Sequence, residues 1–70
     1  MSKSAKVDIY GQSYTVKGEG EPAHLQTVAA YLDAKMKEVA SSTQTVPPLK
    51  VAILAALTIT DELFQHRRRN

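Results

Sequence analysis

The stretch from Val51 to Thr60 reads VAILAALTIT and carries no charge between Lys50 and Asp61. Ala and Leu are strong helix formers. Pro47 and Pro48 stand just ahead, where first-turn N–H groups have no intrahelical partner and proline is tolerated. The run predicts a helix from about Pro47 to the chain end. It is too short for a membrane span, which needs about 20 apolar residues. Its apolar positions do not form one stripe. Leu49, Ile53, Ala56 and Leu63 lie along one side, widened by Ala52 and Ile59 and interrupted by Thr60. Leu54, Leu57 and Phe64 lie along a second, interrupted by Asp61. An ordinary surface helix carries an apolar stripe of roughly 100°. A wider one needs cover from two directions. The rest of the chain supplies one cover, and a second copy supplies the other. Leu49, Ile53, Ala56, Leu57, Thr60, Leu63 and Phe64 are the expected homodimer interface.

The chain's 70 residues make one domain at most. A domain near this size buries only about 60% of its unfolded surface. There is no cysteine, so no disulfide or thiolate site contributes. His24 and His66 stand far apart in the sequence, so neither a structural metal nor a cofactor is expected. Oligomerisation is the remaining staple for so small a scaffold. The lack of cysteine suits a reducing cytosol. The start, MSKSAK, has no apolar core behind it that could serve as a signal peptide. Net charge is +2, and three of the nine basic residues are Arg67, Arg68 and Arg69. The alternative of a dimeric nucleic-acid-binding module, using a hairpin and Arg67–Arg69, is disfavoured. The basic run sits at one end, without aromatic interleaving or a basic helix face.

Residues 1–5 read as a disordered start, with one domain over 6–70. Val7, Ile9, Tyr14 and Val16 alternate with Asp8, Tyr10, Ser13, Thr15 and Lys17, a period of two broken at Gly11-Gln12. The pattern predicts a hairpin with a type II′ turn on Gly11-Gln12. That turn would set Tyr10 opposite Ser13, Ile9 opposite Tyr14 and Val7 opposite Val16. A lone hairpin is marginal, so its apolar face needs a helix to rest on. Gly18-Glu19-Gly20 reads as a flexible break. It fails as a phosphate cradle, because Glu19 and Glu21 repel an anion and no Lys-Ser/Thr follows. Pro22 starts the first helix. Leu25, Val28, Ala29, Leu32, Met36 and Val39 form its apolar stripe. Tyr31 lies at the stripe's edge, and Asp33 and Lys37 form an i, i+4 pair on the wet side. Residues 41–45 are a polar connector, whose shortness favours antiparallel helices. The architecture is α+β, a β-hairpin followed by two helices. The second helix has no glycine cap and reads as cut before a coiled coil.

No catalytic constellation is present. The serines lie mainly in tail, turn and connector, with no histidine placed to activate one. Asp61 and Glu62 are adjacent on a helix and do not face each other. No ligand pocket of several hundred cubic ångström is expected in a domain this thin. The apolar surface points to protein–protein contact.

Three segments carry a resemblance: VDIYGQSYTV from Val7 to Val16, GEGEP from Gly18 to Pro22, and VAILAALTITDEL from Val51 to Leu63. They closely resemble the ZapA family of bacterial cell-division proteins over about residues 6–66, and the helix segment is the most specific. The resemblance implies a non-enzymatic protein at the mid-cell division ring. Such proteins bind FtsZ, the tubulin-like GTPase of that ring, and crosslink its protofilaments. It implies heads made of hairpin and first helix that pair as dimers. Coiled coils then join two dimers into an antiparallel homotetramer. Family members continue for a few heptads past the position of Asn70, so tetramer formation by this chain is not implied. FtsZ-type filaments are acidic, which nominates exposed head residues as the grip. These are Lys6 and Lys17 on the hairpin, Tyr10 beside its turn, and Lys35 and Lys37 on the first helix.

Overall fold

The computed structural model describes residues 3–42 and 46–69. The element order is β1 (Lys3–Ile9), β2 (Gln12–Gly18), α1 (Pro22–Ser41) and α2 (Pro48–Arg69). The chain divides into two compact units, residues 1–34 and 35–70, with α1 running from the first into the second.

In the first unit β1 and β2 form a two-stranded antiparallel sheet. The alternation places Val7, Ile9, Tyr14 and Val16 on one face, as the sequence predicts, but the register differs. Ile9 pairs with Gln12, Val7 with Tyr14 and Ala5 with Val16. The loop is Tyr10-Gly11, with φ of 51° and 81°. Positive φ at both loop residues makes it a type I′ turn rather than type II′. The slip moves each partner by two residues, so every side chain keeps its face. The earlier register also extends the pairing to Lys3. Residues 3–5, expected to be disordered, are therefore strand, and Ala5 is buried. Residues 1 and 2 lie outside the described residues.

The core of this unit is Ala5, Val7 and Ala29, with Ile9, Val16 and Leu25 packed against it. Helix α1 starts at Pro22, and the Glu21 carbonyl accepts from the N–H groups of His24 and Leu25 at 2.9 and 3.1 Å. The Glu21 carboxylate also pairs with Lys3. Gly18 ends β2 where a Cβ would come within 3.1 Å of a Leu25 methyl. Strand and helix can approach this closely because Gly18 has no side chain. Val28, expected in the apolar stripe, is instead 52% exposed, and Tyr31 is also exposed. Val28 lies about 100° around the helix from Ala29, at the margin of the covered face.

In the second unit Val51 and Ala55 are completely buried and Met36 is 5% exposed. Helix α2 begins at Pro48, and Val51 N–H donates to the Pro47 carbonyl at 3.1 Å. Its covered side is the Val51–Ala55 line, flanked by the half-buried Ala52, Leu54 and Ile59. The two apolar sides expected of this helix are thus divided differently. Leu54 belongs with the covered side, not with Leu57 and Phe64. Residues 43–45 of the expected connector lie outside the described residues, and Ser41 ends α1.

Candidate functional site: an uncovered helix face and a basic hairpin

The seven residues nominated as an interface all lie on the side of α2 turned away from Val51 and Ala55. The structure leaves every one exposed. Leu49 is 73% exposed, Leu57 66%, Ile53 59% and Phe64 55%. Leu63 is exposed too, and Ala56 and Thr60 fill the gaps between the large residues. From Leu49 to Phe64 the stripe runs roughly 22 Å along the helix. Single exposed apolar residues are ordinary on a protein surface, whereas a contiguous stripe marks an interaction site. The Thr60 hydroxyl donates to its own helix, to the Ala56 carbonyl at 2.8 Å. It therefore presents mainly its methyl and leaves no unpaired donor on the stripe. Arg67 lies over the Phe64 ring, 5.9 Å from its centroid, at the stripe's C-terminal end.

Of the five grip candidates, Lys6, Tyr10 and Lys17 lie in the first unit and Lys35 and Lys37 in the second. Lys6 and Lys17 are exposed on the polar face of the sheet, opposite Thr15 and Ser4 respectively. On the same face the Ser13 hydroxyl donates to the Asp8 carboxylate at 2.5 Å. Tyr10 is half-buried, and its N–H donates to Asp33 Oδ1 at 2.7 Å. Asp33, expected on the wet side, is half-buried and caps the turn. Lys35 belongs to the second unit and pairs with Glu62 of α2 at 2.5 Å, its side chain only 16% exposed. Its ammonium is thus engaged within the second unit. Lys37 is exposed on α1.

An open cleft of about 250 Å³ lies beside β1, lined by Lys6, Val7, Asp8, Gln26, Ala29 and Ala30. It falls below the range of about 300–1,000 Å³ usual for small-molecule sites. Among the described residues no three metal-ligating side chains come together. No described helix is long and apolar enough to cross a membrane.

The comparisons with known proteins agree with this architecture. Residues 5–70 match the model of the family "Cell division protein ZapA". The protein of that name from Shouchella clausii is 40% identical over 67 residues, covering 96% of this chain and 86% of that protein. The one from Geobacillus thermodenitrificans is 43% identical over 59 residues, covering 84% of this chain and 65% of that protein. A solved structure described as a ZapA mutant dimer from Geobacillus stearothermophilus superposes with a TM-score of 0.80 at 35% identity. It covers 99% of this chain and 80% of that one. A conserved protein of unknown function from Pseudomonas aeruginosa gives a TM-score of 0.82 at 36% identity, covering 97% and 76%. Hairpin, helix order and the VAILAALTITDEL segment thus coincide with a family match over nearly the whole length: the chain belongs to the ZapA family of cell division proteins.

Proposed function

We propose that this chain is a non-enzymatic, FtsZ-binding protein that works as a homodimer at the division ring in the cytoplasm. The observation that carries the reading is the uncovered stripe of α2, Leu49, Ile53, Leu57 and Phe64, each more than half exposed. A two-fold pair of such helices would bury the stripe against its own copy, and a solved relative is described as a dimer, which supports pairing of two copies. A two-fold dimer presents each FtsZ-binding patch twice. Two weak grips then act together through effective concentration, which draws neighbouring filaments into bundles. Lys6 and Lys17 on the hairpin, with Lys37 on α1, are the exposed cations suited to an acidic filament. Tyr10 contributes its ring edge beside the turn.

Sedimentation of the chain with polymerised FtsZ tests the reading. Co-pelleting that weakens as salt rises is the expected result. A chain that stays in the supernatant even at low salt refutes FtsZ binding. Analytical ultracentrifugation tests the dimer separately, and a folded monomer at micromolar concentration would remove it.

A further inference from the structure

The two edges of the sheet are not equivalent. On β1 the outer edge faces α1 across the open cleft, which the Gln26 side-chain amide spans to donate to the Lys6 carbonyl at 3.5 Å. On β2 it is open. The two-residue loop makes Ile9–Gln12 a hydrogen-bonded pair, and such pairs alternate along an antiparallel ladder. The N–H and C=O groups of Ser13, Thr15 and Lys17 therefore point away from β1. All three residues are exposed, and among the described residues no backbone bond from another element reaches them. Protein edges of this kind are ordinarily blunted by proline, a bulge or several charges. Strand β2, QSYTVKG, has only Lys17.

We infer that the open edge of β2 pairs antiparallel with β2 of a second copy about a two-fold axis at Thr15, making a continuous four-stranded sheet. In this register the three outward-facing residues meet one another: Thr15 opposite Thr15 of the copy, Ser13 opposite Lys17, and Lys17 opposite Ser13. Tyr14 falls opposite Val16. Aromatic with β-branched and Thr with Thr are favourable cross-strand pairs. The apolar rows run through the seam as Ala5–Val16–Tyr14–Val7, and Tyr14, 50% exposed in the single chain, gains a cover.

The charges agree as well. Each Lys17 enters the row of the copy's Ser13 and Asp8, which are already hydrogen-bonded to each other. That Asp8 lies two strand spacings away, about 9.6 Å, within reach of a lysine's four-carbon stem. The two Lys6 residues lie about three spacings apart, roughly 14 Å, and do not oppose one another. Moving the axis to Lys17 sets Lys17 against Lys17, and moving it to Ser13 loses the Tyr14–Val16 pair. Only the Thr15 axis uses all three outward residues. This seam lies wholly within residues 3–34, on other residues than the α2 stripe.

The chain has no native cysteine, which makes single thiols clean probes. Under mild oxidation, Thr15→Cys is expected to form a disulfide-linked pair rapidly. Ser13→Cys, equally exposed on the same edge, is expected to crosslink slowly, because its copy lies several residues along the strand. Adding Ser13→Lys to Thr15→Cys places two Lys–Lys oppositions across the seam and should slow crosslinking about tenfold. Lys at 13 still faces Asp8 within its own hairpin, so the fold is retained, and circular dichroism checks this. Adding Lys17→Glu as well should restore the rate. Equal rates for Thr15→Cys and Ser13→Cys, or a rate indifferent to Ser13→Lys, would overturn the proposal.

Discussion

Leu57→Ala separates assembly from folding on the two sides of one helix. Leucine exceeds alanine by three carbons, each worth about 0.8 kcal/mol when buried. Leu57 is 66% exposed in the single chain. Covering that share contributes about 1.6 kcal/mol per protomer. A two-fold interface contains the residue twice, so the dimer loses about 3 kcal/mol, or roughly two decades in Kd. The single chain loses little, because most of this side chain touches nothing in it. Val51 supplies the contrast. It is completely buried on the opposite side, and Val51→Ala should cost the chain itself about 1–3 kcal/mol. Sedimentation equilibrium over a concentration series reads the first effect. Chemical denaturation at fixed concentration reads the second. A Leu57→Ala protein that stays folded and dimerises with the Kd of the wild type would refute the assignment of the stripe.

Asp33→Ala leaves the part-buried Tyr10 N–H without an acceptor, so stability should fall by about 1–3 kcal/mol, and the Tyr10 amide should lose protection in hydrogen exchange. Gly11→Val forces a β-branched residue to φ near 81° and should lower the melting temperature. Gly11→Asn should be nearly neutral, because asparagine tolerates the left-handed region and open space surrounds this position. Reversing the charge of Lys6 and Lys17 together should weaken co-pelleting with FtsZ and flatten its salt dependence, whereas Lys35→Met, which removes a cation already paired with Glu62, should leave pelleting near wild type.

The hairpin's faces were legible in the sequence because side-chain alternation survives a slip of two residues. Its register was not. Gly11 announces a turn, but a type I′ turn also needs positive φ at the residue before it, and tyrosine is a poor choice there. Tyr10 adopts that conformation with its N–H held by a carboxylate 23 positions away in the chain. No local pattern carries that information. Ala5 was lost for the same reason, since the longer ladder follows from the earlier turn. On α2 an apolar surface wider than one cover could be read from the apolar run, but not which side the rest of the chain covers. With apolar residues nearly all round, periodicity does not choose, and the small Ala55 rather than a large leucine marks the closest packing. Among the grip candidates, Lys35 shows the limit of reading charge alone. Its partner Glu62 lies 27 positions away.

The bond from Tyr10 to Asp33 also makes the hairpin tip depend on a residue that follows it in synthesis. A hairpin of residues 3–18 taken alone has a strained tyrosine at its tip and nothing to hold it there, so it closes poorly on the microsecond scale usual for hairpins. The carboxylate arrives only when α1 has wound through its third turn and lies against the sheet. The hydrogen bonding of the hairpin tip is therefore complete only with α1 in place. A ribosome-bound chain that has emerged only as far as Gly18 holds an unfinished ribbon with two bare edges. The Tyr10 N–H finds its acceptor only some fifteen residues later, once Asp33 has left the exit tunnel.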